Sequence, residues 1–293
     1  MAIWGITFVS TKVLISAGLE PAQIFAGRFI IAYAGMLLLS LFGKEKRRLW
    51  GDNLRDELMF ALLGIAGGSF YFLTENTALE YTQACNVSFL VSSSPLLTLF
   101  LSMAARKFGT GRLAAGQEKV RVNGWLVGGT LLAVAGMAAV IFNGTRLSLS
   151  PKGDFLALGA ALCWGAYSVL MGVASKDYGT LFLTRKVFFY GLLTIIPFLI
   201  GRESPGREVL LRPEVIFNLV FLGTVASLAC FVLWNKVVAE LGNVTATNYV
   251  YLNPFFTLIF AMLLLGESLT PLAAAGSAAI VLGVFLAGKA GKY

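Results

Sequence analysis

Hydrophobic residues along this chain fall into long runs, not into the alternating pattern of exposed strands or the one-faced pattern of soluble helices. Each run closes on glycine, proline or a charge. Those boundaries predict helices near 1–17, 22–42, 58–79, 84–105, 124–142, 154–175, 182–200, 215–238, 246–265 and 271–288. Since about 20 residues cross a bilayer as a helix, the expected fold class is an all-α integral membrane protein with ten transmembrane helices. The longest connection, 106–123, has 18 residues and leaves no room for a domain outside the membrane.

Composition agrees with that pattern. Apolar residues make up 57% of the 293 and charged residues 13%, too few charges to cover a soluble domain of this size. Histidine is absent, which removes His-ligated metals, Ser-His-Asp and Cys-His catalysis and the commonest proton relay. Cys85, Cys163 and Cys230 lie inside apolar runs and read as small buried hydrophobes, not as a disulfide framework. No metal or cofactor is expected.

A net charge of +8 could suggest nucleic acid, but the placement of the basic residues excludes that partner. With the N-terminus inside, the inner connections hold thirteen: Lys44, Lys46, Arg47, Arg48, Arg55, Arg106, Lys107, Arg112, Lys119, Arg121, Lys176, Lys289 and Lys292. The outer ones hold five, Arg146, Lys152, Arg202, Arg207 and Arg212. Basic residues near span ends are retained on the cytoplasmic side, so the expectation is a multi-pass cell-membrane protein with both termini cytoplasmic.

The chain also repeats itself. Trp4-Gly5 recurs as Trp164-Gly165 at an offset of 160, while Asn76 recurs as Asn235 and Pro95 as Pro254 at 159. Beyond the longer 106–123 connection the offset drops to 147, matching Gly129 to Gly276 and Gly136 to Gly283. Each half, 1–142 and 153–288, then carries five spans. Five is odd, so the second half enters the membrane upside down. Inverted repeats of this kind recur in secondary transporters, with the substrate site near the midplane between the halves.

These landmarks, together with Gly-Glu-Ser-Leu-Thr at 266–270, resemble the EamA domain of the drug/metabolite transporter superfamily. Two such domains would cover almost the whole chain. The resemblance implies an exporter-like carrier of small metabolites, amino acids or drugs, with a cavity between the halves. Two departures stand out. In the first half Phe108 occupies the register of that stretch and Glu118 falls about two residues out. Trp164 follows about ten apolar residues of its helix and Trp4 only three, so about eight further residues are expected upstream of Met1.

Candidate chemistry is confined to a few positions. Gly64, Gly68, Tyr71 and Glu75 share one helical stripe, and the repeat mate carries Gly223, Ser227, Cys230 and Trp234 there. Glu75 is the candidate coupling group, because a carboxylate within a span by default faces a cavity or a basic partner; the alternative is solvation at the outer interface. Lys12 and Arg28 are the candidate charge partners, for Glu75 or for an anionic substrate group. Snorkelling to an interface is the other reading, better suited to Arg185 and Lys186.

Pro95 and Pro254 each remove a backbone donor and free the carbonyl of Val91 or Val250, a helix break that needs internal partners or a wet cavity. Trp4, Tyr71, Ser92, Trp164, Tyr167, Trp234 and Tyr251 are the candidate substrate cavity, and ordinary bundle packing is the competing account of each. Asn76 and Asn235 read as interhelical hydrogen-bonding residues. Glu267 reads as a cap of the last hairpin. Gly283 to Lys289 fits a phosphate-loop spacing, but Ala290 replaces the magnesium-binding hydroxyl and no strand precedes it.

The resulting expectation is a secondary exporter that alternates access between two inverted halves, and not an enzyme, with a small-molecule substrate and the lipid bilayer as partners. A homodimer is left open. A channel-like facilitator of small neutral solutes is the alternative function.

Overall fold

The computed structural model describes residues 1–42, 49–82, 84–117, 122–141, 150–265 and 270–289. The stretch from Gly266 to Leu269 with Glu267, Glu118, the side chain of Cys85, and Lys44, Lys46, Arg47, Arg48, Lys119, Arg121, Arg146 and Lys292 lie outside the described residues.

Every regular element among the described residues is helical. Six helical stretches, one of them interrupted by a turn, are long and apolar enough to cross a membrane: Pro21–Leu39, Leu54–Tyr81, Asn86–Phe108, Pro151–Ala174, Thr180–Leu199 and Pro213–Leu241. Ala2–Ser16, Gly124–Ala139 and Ala274–Lys289 are apolar but shorter. Large apolar side chains such as Ile30, Leu38, Phe155, Phe217 and Phe285 are exposed on the outside of this bundle, the surface a lipid-facing protein presents.

Local chemistry explains several boundaries. Asn53 caps its helix by accepting from the Asp56 backbone N–H at 3.0 Å, and Asp56 with Glu57 places negative charge at the positive end of the helix dipole. Gly242, at φ 83°, supplies the left-handed turn after Leu241. The expected single helix over 84–105 divides instead: Ala84–Val91 ends, Ser92 and Ser93 turn, and a new helix starts at Ser94 with Pro95 in its first turn. Pro95 is therefore a helix start where its missing N–H costs nothing. Its counterpart Pro254 likewise begins Asn253–Leu265, behind a 3-10 turn over Tyr249–Leu252.

Two helices carry π turns, Ile65–Ser69 within Leu54–Tyr81 and Phe221–Ala229 within Pro213–Leu241. Glycines set how closely these segments approach their neighbours. A Cβ on Gly64 would collide with Tyr190 and Gly191, and one on Gly223 would collide with Ile31 and crowd the Arg28 carbonyl. Gly129 meets Gly283, and Gly136 meets Gly276, where Gly124–Ile141 crosses Pro271–Lys289 at backbone contact, the small-residue packing that membrane helices use in place of a hydrophobic driving force.

Candidate functional site

The approach permitted by Gly223 brings Ser227, one turn further on, against the Arg28 helix. Arg28 is 1% exposed, and its Nε donates to Ser227 Oγ at 2.9 Å. Its guanidinium lies 4.2 Å from the Phe72 ring centroid, a cation–π contact that offsets part of the burial cost. Nη1 is buried with no hydrogen-bond partner. Leaving such a donor unmet costs about 1–3 kcal/mol, more for a charged group.

Across the same cavity stands Glu75, 5% exposed, whose Oε1 accepts from Tyr71 Oη at 2.8 Å. Tyr71 and Glu75 sit one turn apart on the segment following the first π turn. Trp4, Thr7, Phe8, Val91, Trp164, Phe231, Val250 and Asn253 complete the lining. Trp4 and Trp164 meet edge to face at 5.2 Å, and Trp4 Nε1 donates to the Ala226 carbonyl within the second π turn at 3.1 Å. The cavity volume is about 30 Å³, room for a water or two and too small for an amino acid or drug.

Several expected residues converge on this cavity: Trp4, Trp164, Tyr71, Glu75 and Arg28. Trp234 stands behind it, 5.3 Å from Trp4 and 5.5 Å from Trp164. Tyr167 is also displaced from the lining and donates to Asn235 Oδ1. Ser92 bonds back to the Ser88 carbonyl at 2.6 Å and does not reach the lining. Tyr251 packs in a separate cluster with Ala133, Met137 and Ile280. Lys12 points away, donating to the carbonyls of Leu79 and, at 3.4 Å, Thr82, so it caps a helix C-terminus. Asn76 and Asn235 make interhelical hydrogen bonds, to the Pro21 carbonyl and to Thr184 Oγ1.

Phe8, Phe72, Phe231 and Asn253 enter the lining without having been singled out as cavity residues. A signal was present, since Phe72 recurs as Phe231 and Val91 as Val250 at the same offset of 159. Phenylalanine is too common in such a chain for that coincidence to stand out.

A second polar cluster lies at the end of the bundle where Leu54–Tyr81 begins. Lys186, 4% exposed, donates to both Glu57 oxygens at 2.7 and 2.9 Å, and Tyr190 Oη donates to Oε2. Asp56, 2% exposed, accepts from Arg112 Nη1 at 2.6 Å and from Tyr178 Oη. Arg112 also pairs with Asp177 at 3.4 Å. Lys186 therefore does not snorkel to an interface, because Glu57, one residue before the predicted start of its span, is within reach. Burial and the hydrogen bond to Asp56 push the Tyr178 hydroxyl, in the turn between two spans, up to about 12.

The comparisons with known proteins agree with this architecture. The model of the EamA-like transporter family matches residues 1–142 and again 151–288. A protein of Archaeoglobus fulgidus described as an uncharacterized transporter is 27% identical over 289 residues, covering 98% of this chain and 93% of that protein. A probable amino-acid metabolite efflux pump of Salmonella typhimurium is 24% identical over 300 residues, covering 98% and 91%. A probable terminal-alkyne amino-acid exporter of Streptantibioticus cattleyicolor is 26% identical over 232 residues, covering 79% and 73%. A solved crystal structure shares the fold at a TM-score of 0.70 with 18% identity, over 100% of this chain and 96% of that one. These names describe transporters and not enzymes, and they imply a membrane-embedded protein acting on a small molecule. The chain belongs to the EamA-like transporter family.

Proposed function

We propose that this transporter is a secondary carrier that exports small metabolites, such as amino acids or drugs, by alternating access. Its two inverted five-helix repeats, 1–142 and 153–288, rock about the cavity between them. The observation that carries this reading is the makeup of the cavity wall. Trp4 faces Trp164, and Phe72 with Phe231 and Val91 with Val250 line it too, each pair separated by 159 or 160 residues. A site built from equivalent positions of two halves changes its access when one half tilts against the other.

The cluster of Glu57 with Lys186 and Asp56 with Tyr178 and Arg112 supports the same mechanism. It ties segments of the first half to segments of the second at one end and acts as a latch that closes the cavity there. The excess of basic residues on that side makes it the cytoplasmic end, with both termini inside and the protein in the cell membrane. Glu75 is the proton-coupling group, faced by Tyr71 and Arg28. A cavity of about 30 Å³ favours a carrier over a channel-like facilitator, because a pore needs a continuous wet path.

The names of the relatives support an amino-acid or drug substrate. The test is a scan of the compounds that overexpressing cells newly tolerate. Tolerance to toxic amino-acid analogues or drugs, lost with Trp164→Ala, is expected. Tolerance only to sugar phosphates would overturn the cavity reading. Glu75→Gln is expected to make transport insensitive to pH, and unchanged pH dependence would remove the proton role.

A further inference from the structure

A second cavity, of about 680 Å³, shares no lining residue with that of Arg28 and Glu75. Its volume lies within the range of about 300–1,000 Å³ in which proteins take up organic ligands. Gly124–Ile141 and Pro271–Lys289 form two of its walls, drawn together where Gly129 meets Gly283, and the 3-10 turn over Tyr249–Leu252 forms the third. Trp125, Val281 and Phe285 on these walls are exposed on the outside of the bundle. Gly288 also lines the cavity, and a Cβ there would meet nothing within 4 Å, so this glycine makes room and is not a close helix contact. The single charged residue of the lining is Lys289. Its ammonium stands 4.9 Å from the Phe285 ring centroid and 5.5 Å from that of Trp125, which holds the cation over the apolar walls. It forms no ion pair among the described residues, and no carboxylate lines the cavity.

Trp125 opens the fifth predicted span and Lys289 closes the tenth, so both stand at the end of the bundle with the excess of basic residues. Tryptophan and tyrosine favour the level of the lipid headgroups, where Trp125, Tyr249 and Lys289 meet, while Leu252, Val281 and Val284 offer an apolar surface to a hydrocarbon chain. Lysine binds phosphate as a point charge, and basic pockets between spans on the cytoplasmic side receive anionic headgroups. We propose that this cavity binds one anionic phospholipid of the inner leaflet, with its phosphate on Lys289 and an acyl chain against Leu252, Val281 and Val284. A zwitterionic phospholipid carries its own ammonium, which competes with Lys289 for the phosphate, so the site prefers the anionic class. The inference needs the orientation argued above but not the transport mechanism.

The test titrates the purified full chain in detergent with dioleoyl phosphatidylglycerol or dioleoyl phosphatidylethanolamine, which share their acyl chains, and counts bound lipid by native mass spectrometry. The anionic lipid is expected to fill one saturable site about fivefold more tightly, the effect of one lysine at a membrane surface. Lys289→Gln is expected to bring the two lipids to equal affinity. Lys152→Gln, which removes a cation of the outer connections held 4.1 Å from the Tyr81 ring centroid, is expected to leave the preference intact. Gly288→Leu, which fills part of the cavity, is expected to weaken both lipids alike. Equal binding of the two lipids to the unaltered protein would overturn the proposal, as would a preference that survives Lys289→Gln or falls equally with Lys152→Gln. A dimer mass without phosphatidylglycerol, with lipid taken up by the monomer alone, would assign this face to a second copy of the chain and overturn it too. If a variant fails to fold, the two-lipid comparison on the unaltered protein still decides. None of these readouts measures transport, so the carrier reading stands or falls separately.

Discussion

Arg28 Nε donates to Ser227 Oγ across 2.9 Å, a bond between residues 199 apart that joins the second predicted span to the eighth. Ser227 can approach only because Gly223, one turn earlier, lets the backbones nearly touch. Removing the hydroxyl with Ser227→Ala leaves a second guanidinium N–H unmet in a buried site. The expected cost is about 1–3 kcal/mol, read as a lower melting temperature in detergent. Gly223→Val is expected to cost at least as much, because it separates the same two helices. A Ser227→Ala protein as stable as the original would show that the bond holds nothing.

The Lys186–Glu57 pair makes a different prediction. Breaking a buried pair from one side strands a charge, so Lys186→Met alone should destabilise by about 3–5 kcal/mol. The double change with Glu57→Gln should recover part of that loss. In the latch reading the double variant also opens the cavity at that end. A cysteine placed at Thr7 in a cysteine-free background should then react faster with a membrane-impermeant thiol reagent supplied from that side. Unchanged labelling would confine the pair to a structural role.

Tyr178 ties stability to alkaline pH. Its hydroxyl is raised from the usual value near 10 to about 12, first by burial and then by its hydrogen bond to Asp56. The folded protein therefore holds this proton where the unfolded chain has lost it. The contribution is complete below about pH 10 and disappears as pH climbs through 12. Thermal unfolding followed from pH 9 to pH 12 should fall more steeply for the unaltered protein than for Tyr178→Phe. Parallel curves would refute the linkage.

Glycines can be ranked by what surrounds them. Gly129→Leu and Gly136→Leu would drive a side chain into the backbone of the last helix, and each should cost about 1–3 kcal/mol or prevent assembly. Gly288→Ala, with open space around its Cβ, should be neutral. The comparison is read by yield and by melting temperature.

The charged and tryptophan residues of this cavity are legible in the sequence, and the reason is scarcity. In a chain with 13% charged residues, an arginine or glutamate inside an apolar run is conspicuous. Arg28 and Glu75 could therefore be chosen before their positions in space were known. Trp4 and Trp164 were marked by their repeat. Lys12 shows the limit of that argument, since a cation within a span also satisfies helix-end carbonyls, and its register alone does not distinguish the two uses. Tyr251 and Ser92 lie on polar faces, but whether those faces turn inward depends on helix rotation about the breaks before Pro254 and Pro95. The second polar cluster is not legible in this way, because Asp56 and Glu57 lie at a predicted boundary, where a carboxylate reads as ordinary interfacial charge. Its partners come from Thr180–Leu199, from Tyr178 just before it and from the short helix Gly111–Ala115, far away in sequence.

The central claim is that the cavity of Arg28 and Glu75 is the substrate site of a carrier, and counterflow tests it most directly. Proteoliposomes holding the purified protein would be loaded with unlabelled amino acids and presented with the same mixture in labelled form. Internal substrate is predicted to accelerate entry of label, with the acceleration lost in Arg28→Gln. An entry rate identical in loaded and empty vesicles, as through a pore, would contradict the account.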